Sequence, residues 1–223
     1  MMIAVAIDGP AGAGKSTIAK KAAHDLGFIY VDTGALYRAV GLNFINTNTG
    51  IKDEAAVGAL LAQTNIELKF INGEQRVLLN GEDVSDVIRT PKASMMASDV
   101  SALPPVRAFL LDLQQNIAQT NNVIMDGRDI GTVVLPNAQV KIFLTASAKC
   151  RAKRRYNQLK EAGQEADFDS ILNDIEIRDY NDSHRDIAPL KPAADSILVD
   201  TSDEELEDSL ARLISLINEK LNN

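Results

Sequence analysis

This chain is short of cysteine, of long apolar runs and of positive charge, and each shortage narrows what it can be. Its single cysteine, Cys150, has no internal partner for a disulfide, which fits a reducing compartment. No His–Cys arrangement gives it a metal or a nucleophilic role. No stretch of 18 apolar residues and no charged-then-apolar leader occur, so neither a membrane span nor a signal peptide is expected. Lysine and arginine number 23 against 31 acidic residues, a formal charge of −8. That balance disfavours duplex nucleic acid as the main partner. An acidic chain that must hold an anion has to gather its cations locally, so the placement of its arginines matters. Internal repeats and low-complexity segments are absent too.

What is present is ordinary for a globular α/β chain: 223 residues, 45% hydrophobic and 24% charged. Ile3–Ile7 reads as a buried strand. The segment Gly9-Pro10-Ala11-Gly12-Ala13-Gly14-Lys15-Ser16-Thr17 follows, and Ile18, Ala19, Ala22, Ala23 and Leu26 recur at helical spacing until Gly27. The pattern GxxxxGK[ST] thus lies between a strand and a helix, where it has physical meaning. Glycines let the backbone curl around an anion and aim N–H groups at it. The helix start adds its dipole, Lys15 a mobile charge for the β- and γ-phosphates, and Ser16 a hydroxyl for Mg²⁺. The segment implies a bound nucleoside triphosphate.

Further strands are expected at 28–31, 123–125, 140–144 and 196–199, alternating with helices, which predicts a five-stranded parallel sheet wrapped on both faces. Two apolar runs flank Asn72-Gly73, a hairpin signal, and Gly81–Val84 reads as a third short strand. An antiparallel insertion over about 65–85 is therefore expected. Ser202-Asp-Glu-Glu205 reads as a capping box before an amphipathic last helix.

Three kinds of phosphate-loop protein compete. A guanine-reading [NT]KxD motif is missing, which disfavours a GTPase switch. The strand 123–125 ends in Asp126-Gly127 with no adjacent glutamate to activate water, which disfavours a motor or transporter ATPase. Arg38, Arg128, Arg178 and Arg185 follow strands or lie on a late helix, on the side where ligands bind open α/β sheets. That arrangement favours transfer of a phosphoryl group to a small acceptor.

The blocks IDGPAGAGKST at 7–17, VDTGALYRAV at 31–40, LNGEDVSDVIRT at 79–90, MDGRDIGTVVLPNAQVKIFLTAS at 125–147 and RDYNDSHRDIAPLKPAADSILVDTS at 178–202 resemble the bacterial cytidylate (CMP) kinases, within the nucleoside-monophosphate kinase family. The resemblance implies a kinase core (1–33, 104–148 and 168–223), an acceptor-binding subdomain (34–103) and a helical lid (149–167). It implies ATP as co-substrate with Mg²⁺ held by Ser16 and Asp126, and CMP or dCMP as acceptor. Ser98, Arg107 and Asp129 would read the cytosine edge, Asp182 and Arg178 the ribose, and Arg38, Arg128 and Arg185 the acceptor phosphate. Thr33 falls in the same site. The basic run Arg151–Arg155 resembles the lid helix, from which Arg154 or Arg155 would reach the transferring phosphoryl. A cytoplasmic monomer is expected. Another small-molecule kinase, using UMP or a non-nucleotide acceptor, and a non-catalytic ATP-binding protein remain the alternatives.

Overall fold

The computed structural model describes residues 2–71 and 74–222. Five strands, β1 (Ala4–Asp8), β2 (Ile29–Asp32), β6 (Val123–Gly127), β7 (Val140–Thr145) and β8 (Ile197–Asp200), form one parallel sheet in the order β2-β6-β1-β7-β8. Along β1 the side chains alternate. Val5 and Ile7 join a core with Ile124, Val140 and helices α1 (Lys15–Leu26) and α8 (Leu206–Asn222), whereas Ala6 packs with Val31, Val123 and Met125 on the opposite face. Both faces are therefore covered, as a buried parallel sheet requires.

Helix α1 ends where Gly27 takes a left-handed φ of 68° and returns its N–H to Ala23 and His24 carbonyls. A second apolar core is built from α2 (Thr33–Thr47), α3 (Glu54–Ala62), α4 (Pro91–Ser101) and α5 (Pro104–Thr120), around Leu36, Phe44, Val57, Val100 and Leu110. Asp32 caps α2 by accepting the Ala35 N–H, and Pro91 and Pro104 open α4 and α5.

Between α3 and α4 lies the expected antiparallel insertion, with β3 (Ile66–Ile71), β4 (Glu74–Leu79) and β5 (Glu82–Asp83) in that order. The turn residues Asn72 and Gly73 lie outside the described residues. Helices α6 (Ala148–Glu161) and α7 (Phe168–His184) complete the chain before β8.

Two elements differ from expectation. Ser202 is not the cap of α8: its hydroxyl donates to Asp200 Oδ1 at 2.6 Å and accepts the Ser147 N–H, and the helix starts only at Leu206. A local Asp–Ser turn has taken the hydroxyl that a capping box would have used. After β6 the chain also makes a π-helical turn over Ile130–Val134, for which no local signal exists.

Candidate active site

Register explains where the polar groups converge. In the sheet Asp32 stands opposite Asp126, and Asp8 opposite Gly127, so three carboxylates end neighbouring strands at the carboxyl edge. The phosphate loop leaves that edge from β1. Gly9 has φ 149°, and a Cβ there would stand 1.9 Å from the Leu144 carbonyl oxygen, so only glycine passes β7 at this point. Gly12 and Gly14, at φ 76° and 89°, shape the turn into α1. Pro10 accepts the Lys15 ammonium at 2.8 Å. Gly9, Pro10 and Ala13 are buried behind the loop, Ala11, Gly12, Lys15 and Ser16 face the cleft, and Thr17 is exposed toward a second groove.

The cleft holds about 230 Å³ and is lined by six cations, Lys15, Arg38, Arg107, Arg128, Arg178 and Arg185, against the carboxylates Asp32, Asp126, Asp129 and Asp182. A chain of net charge −8 thus concentrates positive charge at one point. Thr33 and Ser98 lie there as well, so every residue expected around the acceptor lines this one cavity. Helix α7 supplies Arg178 and Asp182 one turn apart, and Arg185 is its C-terminal cap.

The side chains are held by one another. Arg128 Nε donates to Asp182 at 2.8 Å, Arg38 to Asp32 at 2.8 Å, and Arg107 pairs with buried Asp129. Arg185 reaches Asp129 at 3.4 Å and the Ser101 hydroxyl at 3.2 Å. Thr33 donates to the Asp126 carbonyl at 2.7 Å. Arg38 Nε and Arg178 Nε are buried with no hydrogen-bond partner among the described residues. Buried donors of this kind cost free energy unless an acceptor arrives.

Burial sets the protonation of the floor. It pulls the Lys15 ammonium down to about 7, aided by Arg128 and opposed by Asp126 and Asp8. Burial, then Asp32, raises the Asp126 carboxyl. Asp8 is pushed up to about 6 by burial although it accepts the N–H groups of Ile130 and Gly131 at 2.7 and 2.8 Å. Burial also lowers Arg178, with Arg128 adding to it. Burial raises Asp182, but Arg128, Arg178 and Arg185 together outweigh it and hold the carboxyl below the usual carboxylate range.

Ser16 donates to Asp126 Oδ2 at 2.8 Å, and Tyr30 to Oδ1 at 3.2 Å. A hydroxyl beside a buried carboxylate suits a hard, oxygen-seeking cation such as Mg²⁺. No cluster of three or more His, Cys, Asp or Glu side chains fit for a metal occurs among the described residues.

Arg154 and Arg155, expected to reach the transferring phosphoryl, do not line the cleft. Arg154 donates to the Thr201 carbonyl at 2.6 Å, and exposed Arg155 to Gln158 at 2.8 Å. Their neighbour Arg151 is instead buried, paired with Asp179, and donates to the Ala11 carbonyl of the phosphate loop at 3.0 Å. The sequence reading also passed over Asp8, Tyr37 and Ser101. Asp8 stands within the block at 7–17, ahead of the glycines, yet nothing local to it points to its distant partners Ile130 and Gly131.

The sheet, the loop and the ring of cations define a phosphate-loop phosphotransferase. A family model described as cytidylate kinase matches residues 5–219, and the chain belongs to that family. It is 49% identical over 221 residues to a cytidylate kinase of Caldicellulosiruptor saccharolyticus, covering 99% of this chain and 98% of the relative. It is 50% identical over 222 residues to one of Lactobacillus gasseri, covering 100% and 96%. Among solved structures, an uncharacterised protein of Eubacterium ventriosum (TM-score 0.52) and the shikimate kinase of Bacteroides thetaiotaomicron (TM-score 0.50) match at 14% identity. Each match covers 98% of this chain and 99% of the other, and these likenesses bear on the fold alone.

Proposed function

We propose that the chain transfers the γ-phosphoryl group of ATP to CMP or dCMP. The observation that carries this reading is the single cleft in which the phosphate loop meets five arginines, two of them with buried, unpartnered donors. Phosphoryl transfer between two phosphate-bearing ligands needs that density of cations to overcome their repulsion.

Lys15 and the loop N–H groups hold the donor phosphates. Bound Mg²⁺ would be liganded by Ser16, with Asp126 beside it, and would neutralise charge on those phosphates. Arg38, Arg128 and Arg185 hold the acceptor phosphate, whose oxygen is ionised near neutral pH, so no general base is required. Arg178 supplies a free donor to the ribose region beside Asp182. Ser98, Arg107 and Asp129 face the base, since cytosine offers an amino donor beside a carbonyl acceptor. Catalysis is then alignment and charge neutralisation.

In this reading residues 34–103 carry the acceptor, 149–167 form the lid, and the rest is the kinase core. One chain supplies every group of the cleft, which suits a monomer. No helix among the described residues is long and apolar enough to cross a membrane, and a cytoplasmic site of action fits the family.

The test is a phosphorylation assay over CMP, dCMP, UMP, AMP and shikimate with MgATP. CMP and dCMP should lead, and Lys15→Ala should abolish turnover. A stronger acceptor among the others, or retained activity in Lys15→Ala, would reject the proposal.

A further inference from the structure

We propose that Gln75, on the inserted sheet, is a positioning residue for the acceptor-phosphate site. This rests on the function proposed above. Strand β2 is an edge of the main sheet, pairing with β6 alone. At its last residue, Asp32, the backbone N–H donates to Gln75 Oε1 at 2.9 Å, and the carbonyl accepts from Gln75 Nε2 at 3.2 Å. A carboxamide carries the donor and the acceptor of a peptide group, so this one side chain completes the open edge as a neighbouring strand would.

What hangs on Asp32 gives the clamp its consequence. The Asp32 carboxylate caps α2 through Oδ1 and holds Arg38 through Oδ2. The next residue, Thr33, ties α2 to the Asp126 carbonyl. Fixing the Asp32 backbone therefore fixes the start of α2 and the direction of Arg38. Gln75 does not line the cleft. It faces the second groove, of about 670 Å³, on the other side of Asp32, and so acts through Asp32 rather than by touching the acceptor. The adjacent Glu74 pairs with Lys20 of α1 at 2.7 Å, so two successive residues of β4 moor the insertion to the core.

The test uses the full chain with Gln75→Ala and Gln75→Glu, varying each substrate at saturating levels of the other. Gln75→Ala should raise the KM for CMP about tenfold, as loss of hydrogen bonds to a half-buried backbone implies, and change the KM for ATP less than about twofold. Hydrogen exchange at the Asp32 amide should quicken in the same variant. In Gln75→Glu the neutral carboxyl keeps one donor and one acceptor, whereas the ionised form faces the Asp32 carbonyl with a charge. Its KM for CMP, divided by that of the unaltered protein at each pH, should therefore rise as the glutamate ionises. A merely structural loss would move both KM values together and show no such pH step. Equal changes in both KM values, or no change in either with unaltered Asp32 exchange, overturn the proposal. Should the acceptor panel return a different phosphate acceptor, the same split is read on that acceptor, so the two conclusions fail independently.

Discussion

Asp8 shows how a single buried group can serve position at the expense of stability. Its carboxylate accepts two successive N–H groups that open the π-turn, and the residue just before them is Asp129, which receives Arg107 and Arg185. The bonds favour the anion, yet burial outweighs them and raises the group from its ordinary 3.8 to about 6. A carboxyl with a raised folded value binds its proton more tightly in the folded state. Its contribution to stability is therefore full below about pH 4 and is lost as pH climbs through about 6. Moving from 3.8 to about 6 corresponds to a cost of about 3 kcal/mol at neutral pH. In urea unfolding, the stability of the native chain relative to Asp8→Asn should fall by about this amount between pH 4 and pH 7. Taking the difference cancels Asp126 and the other carboxyls that titrate nearby. A difference that stays flat with pH would show that Asp8 is not a buried anion.

At the scale of elements, the phosphate loop is held by contacts with β7 that its own sequence does not reveal. Gly9 and Gly12 both have positive φ, but their surroundings differ. A Cβ at Gly9 meets the Leu144 carbonyl at 1.9 Å, whereas one at Gly12 lies 3.5 Å from Arg151 Cβ, an ordinary van der Waals contact. Gly12→Ala should then cost about 1–2 kcal/mol of backbone strain alone. Gly9→Ala must displace a strand or the loop and should cost about 4 kcal/mol or more. Urea unfolding of the two variants measures the gap, and equal losses would contradict the close approach. The strands and helices themselves were readable, because burial and amphipathic spacing act locally: α1 stops at Gly27, and β3 and β4 flank Asn72-Gly73 as their alternation implies. The cleft was readable through its arginines and the Asp-Gly-Arg-Asp block, which lie at the ends of elements that topology brings together. Elements whose cause lies far away in sequence were not. The π-turn at Ile130–Val134 is held by a carboxylate more than a hundred residues earlier, and Ser202 abandons its helix for Asp200 and Ser147. Gln75 gave no signal either, since its partner is backbone and any side chain could stand at Asp32 without changing that bond.

Over the whole molecule, the unequal placement of charge also distinguishes the arginines of α6. Helix α6 carries Arg151, Arg154 and Arg155, none of which lines the cleft. Arg151 is committed: buried, paired with Asp179 and bonded to the Ala11 carbonyl, it fastens α6 to both the phosphate loop and α7. Arg155 is exposed and turned toward Gln158, along its own helix. Arg154 lies between these extremes. Its partners are the Thr201 carbonyl and hydroxyl, both neutral, and one guanidinium nitrogen stands 3.9 Å from where a Cβ on Gly14 would be. A charged phosphoryl group is a stronger acceptor for a guanidinium than a carbonyl is, so a small swing of α6 would exchange Thr201 for the transferring group with a net gain. Under the proposed function, Arg154 is therefore the better placed of the two to meet the transferring phosphoryl. Arg154→Ala should lower kcat about 10³-fold, the scale on which an arginine at a transferring phosphoryl acts, with little effect on the KM for CMP. Arg155→Ala should stay within about twofold in kcat, as expected of an exposed side chain away from the chemistry. Steady-state kinetics of the pair decide the matter: a larger loss in Arg155→Ala reverses the assignment, and small losses in both would remove α6 from the catalytic step.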